Sequence, residues 1–286
     1  MVHSNHNSHE QLLEPGPVTV IEPRTRWRLL DFKELWAYRE LFVVLALRDI
    51  KVRYKQTALG ALWAILQPFT AMVVFTVIFG RLAKIPSDGY PYAVFVYAGL
   101  LPWTFFAGAI SSSGNSLVGS ANLISKVYFP RLIIPTSSLG AHLLDFAISF
   151  TILLGLMVYF GVGLSVNLLA IPFLLVMVMA VALGLGTILS TLTVSYRDFR
   201  YVVPFLVQTG LFVTPVIYPV SLFPNKWQWV LYLNPMAGLV EGFRAAVFAA
   251  PFNTMAIGLS CLIAMLLLII GVAYFEQVER RFADII

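Results

Sequence analysis

Hydrophobic positions in this 286-residue chain gather into long runs instead of alternating with polar ones. Between Ala58 and Phe275, five stretches of about twenty or more residues carry at most one charge, and about twenty apolar residues in helix cross a hydrocarbon core of about 30 Å. Windows of about 19 residues place spans near 58–80, 91–113, 139–162, 168–194, 202–219 and 254–275. The predicted fold class is therefore all-α and integral to the membrane, with six transmembrane helices. The fifth span is crowded by Pro204, Pro215 and Pro219.

Three segments break this rhythm. Residues 31–56 hold an uncharged run, Leu41–Leu47, far too short to span. Phe32, Leu35, Trp36, Phe42, Val43, Ala46, Leu47 and Ile50 recur at three and four, while Lys33, Glu40, Arg48, Lys51 and Lys55 line another face, which predicts an N-terminal amphipathic interface helix. A membrane-proximal anchor and a docking surface for another subunit both fit it. The loop 115–138 carries Pro130 and Pro135; a short helix from Ser120 to Tyr128, stopped before Pro130, would project Lys126 and Arg131 beside an exposed Phe129. Insertion into a partner's groove and a second interfacial anchor fit this loop equally. Residues 220–252 are too apolar for water yet are broken by Pro224, Asn234-Pro235 and Pro251. They predict two re-entrant half-helices whose freed backbone groups face protein or a watery cavity, with Glu241 and Arg244 placed three apart to pair. Trp227 and Trp229 read as interfacial anchors.

Composition agrees: 59% hydrophobic and 12% charged, against about 25% charged in soluble domains, and a mean hydropathy of +0.84 exclude a water-soluble fold. The net charge is +5, and nine of the 19 Lys and Arg lie before the first span, where anionic lipid headgroups, not nucleic acid, explain them. Placing both termini in the cytoplasm puts 15 of the 19 Lys and Arg inside (nine, two, two and two in the successive segments), in line with the positive-inside rule. The chain is organised as a polar cytoplasmic tail (1–30) without a signal-peptide apolar core, the interface helix (31–56) and a transmembrane domain (57–286).

The chemistry is sparse. His3, His6 and His9 read as part of the tail, and no metal site is expected. Cys261 stands alone within the last apolar stretch. Asp145, the one acid well inside a predicted span, costs about 2.5–3.5 kcal/mol to bury; it is either a polar point on a substrate path or an acid near enough to the interface to reach it. Ala180, Gly184 and Gly186 suit close helix contact, and Pro68 a kink. No GxxxxGK[ST], HExxH, GxSxG or calcium-loop pattern occurs, so the chain is neither an autonomous ATPase nor a hydrolase.

Four segments in order resemble the permeases of the ABC-2 family, above all those exporting O-antigen, capsule or teichoic acid: DIKVRYKQTALGALWAILQP (49–68), NLISKVYFPRLIIP (122–135), SYRDFRYVVPFLVQTGLFVTPVIYP (195–219) and LNPMAGLVEGFR (233–244). The resemblance covers roughly residues 31–286. It implies a homodimer in a bacterial inner (plasma) membrane that binds two copies of an ABC ATP-binding subunit and moves a lipid-linked polysaccharide, with ATP and Mg on the partner and no cofactor on this chain. It further implies that the interface helix, with Trp36, Arg48, Lys51 and Arg53, meets the ATPase. The loop with Lys126, Tyr128, Phe129, Pro130 and Arg131 would be a cytoplasmic coupling helix, and Asn234, Pro235, Glu241 and Arg244 would belong to an outer gate. A polymer in transit needs weak, repeated contacts, for which aromatic faces serve; Trp63, Phe69, Tyr97, Trp103, Phe105 and Phe106 are the candidates. A drug or lipid exporter of the same superfamily is the alternative, and a membrane enzyme or self-sufficient channel a third reading that the missing paired acids disfavour.

Overall fold

The computed structural model describes residues 32–55, 62–196 and 198–279. The tail 1–30 with its histidines, the first residues of the predicted first span, and Arg197, Arg280 and Arg281 lie outside them. The described residues form twelve α-helices and no strand: α1 (Phe32–Ala37), α2 (Arg39–Lys55), α3 (Leu62–Phe75), α4 (Tyr92–Gly119), α5 (Ala121–Ile124), α6 (Ile133–Ser137), α7 (Leu139–Tyr159), α8 (Ile171–Ser195), α9 (Phe199–Val213), α10 (Asn225–Tyr232), α11 (Pro235–Phe248) and α12 (Thr254–Glu279). Five stretches among them are long and apolar enough to cross a membrane: Leu62–Leu82, Tyr92–Gly119, Ile133–Tyr159, Val166–Ser195 and Thr254–Glu279.

The centre of the bundle is α4, buried without interruption from Ala93 to Trp103 and packed by α3, α7, α8 and α11. Between helices that share an apolar surrounding there is little hydrophobic drive, so packing depends on how closely backbones approach. Glycine sets that distance between α8 and α12. A Cβ on Gly184 would stand 2.5 Å from the carbonyl carbon of Leu267, and one on Gly271 would strike the carbonyl oxygen of Gly184. Several hydroxyls in this interior bond to their own helix: Thr187 donates to the Leu183 carbonyl, Thr191 to Thr187 and Thr193 to Leu189, whereas those of Ser113 and Ser260 are buried without a hydrogen-bond partner.

The predicted fifth span ends early. Helix α9 has 15 residues, about 22 Å at 1.5 Å per residue, short of a hydrocarbon core. Pro215 pushes the residue before it out of the helical region, and Thr214 is extended at φ −82, ψ 137. Pro204 and Pro68, by contrast, sit inside helices that continue past them.

The interface helix departs from its predicted face as well. It breaks at Tyr38 into α1 and α2, and α2 packs on α6 and α7 through buried Leu45 and through Ala46, which lies against Gly140. Val43, Val44, Leu47 and Val52 are exposed. The apolar residues 42–47 run consecutively, so a helix that turns 100° per residue spreads them over more than one side. The predicted half-helices correspond to α10 and α11, divided at Asn234-Pro235; α11 packs against α4, α8 and α12 and is buried from Met236 to Val240.

Gly184→Leu is expected to separate α8 from α12 and lower the melting temperature of the detergent-solubilised protein, overpacking of this kind costing about 1–3 kcal/mol or more. Gly155→Ala on the open side of α7, where an added Cβ meets nothing within 4 Å, is expected to leave it unchanged or raise it; equal losses from both would contradict the close α8–α12 contact.

Candidate functional site

Two polar clusters lie near opposite ends of α4, one at Phe95 and one at Ser112, about 26 Å apart along the helix. At the Ser112 end α2 is tied to α7. The Arg53 guanidinium stands 2.7 Å from Asp145, and the Tyr54 hydroxyl donates to the other oxygen of the same carboxylate. One turn earlier His142 is buried, with Nδ1 3.1 Å from Arg53 and Nε2 2.8 Å from the Ser112 hydroxyl. Arginine only donates, so Nδ1 accepts and Nε2 carries the proton toward Ser112. Gly108 makes the room, since a Cβ there would stand 2.5 Å from His142 Nδ1. Burial first, and then the hydrogen bond to Asp145 and its charge, push the Tyr54 hydroxyl up to about 12, so it remains a donor at any physiological pH. Asp145 thus gains its partners from the interface helix. Neither a substrate path nor solvent at the membrane surface is needed to explain it.

The loop between α4 and α7 is tied down at this end too. Helix α5 covers only Ala121–Ile124, half the predicted length. Phe129, expected to protrude, is only 3% exposed and Pro130 is buried. An aromatic ring at the foot of a short loop reaches the bundle interior, and burying it is worth about 1.5–3 kcal/mol. The protruding residues are Lys126, Val127 and Tyr128, the last 66% exposed. Arg131 is fastened to α12, its guanidinium donating to the Glu279 carbonyl and its amide to the Glu279 carboxylate. Of the interface-helix residues, Trp36, 71% exposed, has Arg39 over its ring at 5.8 Å, and Arg48 pairs with the adjacent Asp49. Arg48 and Lys51 lie beside Val44, Leu47 and Val52 on an exposed face of α2, whereas Arg53 turns inward to Asp145.

At the other end the geometry centres on Arg244. It does not pair with Glu241. Its guanidinium donates to the carbonyls of Phe95, Pro215, Val216 and Tyr218 and lies over the Phe95 ring at 3.7 Å. The break after α9 frees the carbonyls of Pro215, Val216 and Tyr218, and a planar fork with five donors can reach several at once. Asn234 caps α11 by accepting from the Met236 amide, with Pro235 at the first helical position, and its amide donates to Thr214 at 2.8 Å. Arg244 and Asn234 therefore hold the break from both sides. Glu241 is left beside the Tyr232 hydroxyl, with Oε2 buried and without a hydrogen-bond partner.

Of the aromatic path candidates, Trp63 and Phe69 are exposed on α3, whereas Tyr97, Trp103, Phe105 and Phe106 are interior residues of α4. Tyr97 donates to the Ser149 carbonyl, Trp103 packs on Phe106 at 5.4 Å and Phe105 sits edge-on to Phe146; these four rings pack inside the bundle. Tyr54, Ser112 and His142 are site residues that sequence reasoning missed. The signal for His142 was legible, as it stands three residues before Asp145 in an otherwise apolar stretch. Among the described residues no group of three or more His, Cys, Asp or Glu could hold a metal ion.

Five helices long and apolar enough to cross a membrane define a multi-pass membrane protein. The chain belongs to the ABC-2 type transporter family, whose model matches residues 40–248. It is 29% identical over 248 residues to the O-antigen export system permease protein RfbA of Klebsiella pneumoniae, covering 86% of this chain and 95% of that one. It is likewise 29% identical over 260 residues to RfbA of Myxococcus xanthus (88% and 97%), and 25% identical over 245 residues to the polysialic acid transport protein KpsM of Escherichia coli (82% and 92%).

Removing one partner of the α2–α7 pair should loosen the interface helix. Arg53→Ala and Asp145→Asn, taken as a double-mutant cycle, are expected to couple by about 1–2 kcal/mol, below a fully buried pair because Arg53 is 42% exposed. Additive effects on unfolding would show that the pair does not carry the docking. Arg244→Lys keeps the charge and loses the fork, and is expected to cost about 1–3 kcal/mol for each carbonyl left bare. Hydrogen exchange of residues 216–218 should rise in that variant; unchanged protection would refute the role given to Arg244.

Proposed function

We propose that the chain is the membrane subunit of an ATP-driven exporter that moves a lipid-linked polysaccharide across a bacterial inner membrane, working as a homodimer with two copies of a separate ATP-binding subunit. The observation that carries this reading is the likeness to two O-antigen export permeases and a polysialic acid transport protein, 92–97% of whose lengths are matched on this chain. In this reading both termini are cytoplasmic, and ATP and Mg reside on the partner, which supplies the hydrolysis for which this sequence has no motif.

The geometry supports a route for the stroke. A partner meeting the exposed face of α2 pushes on a helix whose Arg53 and Tyr54 hold Asp145 of α7. A partner gripping Lys126 and Tyr128 pushes on a loop anchored through Phe129 in the interior and through Arg131 on the last turn of α12. Both contacts end on membrane-length helices, so displacement at the surface becomes displacement of spans. Phe129 then acts as an anchor of the loop, and Tyr128 and Lys126 are its contact residues.

Deleting the gene is expected to leave glycan on its lipid carrier inside the cell; unaltered surface polysaccharide would sink the proposal, and altered drug susceptibility alone would favour a drug exporter. Tyr128→Ala with Lys126→Glu is expected to weaken co-purification of the ATP-binding subunit by about tenfold or more, with the permease still inserted. Undiminished co-purification would mean that the loop is not the docking element.

A further inference from the structure

A cavity of about 250 Å³ lies between the 84–91 loop, the 3-10 turn Val220–Leu222 and helices α10 and α11. Its floor is Tyr232, Glu241 and Arg244; its rim carries Asp88, Ser221 and Gln228. The rim is set by the backbone: Asp88 and Gly89 take φ of 52° and 83°, a left-handed turn that aspartate tolerates better than most residues, and Asp88 thereby accepts from the Ser221 hydroxyl at 2.6 Å. The wall includes Tyr90, stacked on Phe248 at 4.0 Å. The lining thus combines carboxylates, an amide, a hydroxyl and aromatic surface. That set suits a ligand with several hydroxyls on a ring whose CH faces are apolar.

Two details sharpen the class. Glu241 Oε2 is buried against this cavity without a hydrogen-bond partner, and a desolvated acceptor of this kind is costly until a donor reaches it. Arg244 spends its donors on four backbone carbonyls, so the charges lining the cavity are Asp88 and Glu241 against one committed cation. The balance is negative and disfavours an anionic ligand.

We infer that this cavity is a binding site for one neutral sugar unit, a hexose or N-acetylhexosamine, gripped through its hydroxyls by Glu241 and Asp88. The assignment rests on the polysaccharide-export reading and deepens it. The cavity lies below the about 300 Å³ at which pockets for drug-sized ligands begin, so it holds a single residue and not a stretch of chain. Weak capture of one unit at the end of the bundle remote from α2 would let a polymer pause without being trapped.

The test is saturation-transfer difference NMR on the purified full-length permease in nanodiscs, with methyl glycosides of glucose, mannose, galactose and N-acetylglucosamine, and methyl glucuronide as the anionic comparison. At least one neutral glycoside is expected to receive saturation and the glucuronide little. Glu241→Gln and Asp88→Asn are each expected to weaken binding by about tenfold, the loss of a hydrogen bond to a charged acceptor. Asp88 is exposed on the rim, so its variant reads the site even if Glu241→Gln disturbs α11. No transfer to any neutral glycoside, equal transfer to the glucuronide, or unchanged binding in Asp88→Asn would overturn the assignment. Gene deletion separates the two claims: glycoside binding with normal surface glycan would retain the site and remove the export reading, whereas trapped glycan without glycoside binding would do the reverse.

Discussion

A helix that stops inside an apolar bundle leaves carbonyls with no amide to accept from, and in such surroundings each bare group is costly. The break between Val213 and Val220 creates this problem and Arg244 answers it, with hydrogen bonds to Pro215, Val216 and Tyr218 and a fourth to Phe95 on the central helix. Much else at that end follows. Because Arg244 is held by backbone, Glu241 makes no ion pair with it; because α11 must present Arg244 to α4, it is buried deep in the bundle; and Asn234, which both caps α11 and bonds to Thr214, ties the two sides of the break together.

The opposite end is built on a different principle. Its polar contacts join separate helices instead of repairing one. Arg53 and Tyr54 come from α2, Asp145 and His142 from α7 and Ser112 from α4, and Arg131 joins the 120–132 loop to α12. The Arg53–Asp145 pair is only partly buried and modest in energy, whereas α8 and α12 stand so close that an added Cβ would strike backbone.

Much of this was legible in the hydrophobic pattern, because length and apolarity decide what crosses a membrane. The five long helices fall where the uncharged runs lie, and the divided segment after α9 was visible from its prolines. Fine placement was not. Phe129 reads as an exposed aromatic beside basic residues, but its direction depends on how short the α5 turn is. Val43 and Leu47 match a helical repeat, yet the face that docks is chosen by Gly140 on α7, a residue distant in sequence. The Glu241–Arg244 spacing fits a helical pair, but a demand from carbonyls elsewhere in the chain is stronger than a pair worth a few tenths of a kcal/mol. Four candidate path aromatics, Tyr97, Trp103, Phe105 and Phe106, are buried in the core for a related reason: composition shows that a helix is apolar and aromatic, not which neighbours surround it.

In the proposed exporter, the two ends together constrain how a stroke could travel. Motion given to α2 enters α7 through Asp145, and motion given to the 120–132 loop enters α12 through Glu279. Helix α12 also packs against α11, the helix that carries Arg244 and Glu241. A shift of α12 along its axis would therefore meet the closure at the far end without passing through α4, whose burial fixes it. In that proposal, opening need not break the Arg244 network: α11 can move as one body with the carbonyls of 215–218 that it holds, carrying the Glu241 side of the cavity relative to Asp88 on its rim. The proposed grip on a sugar unit and the position of the proposed gate would then be two readings of one displacement.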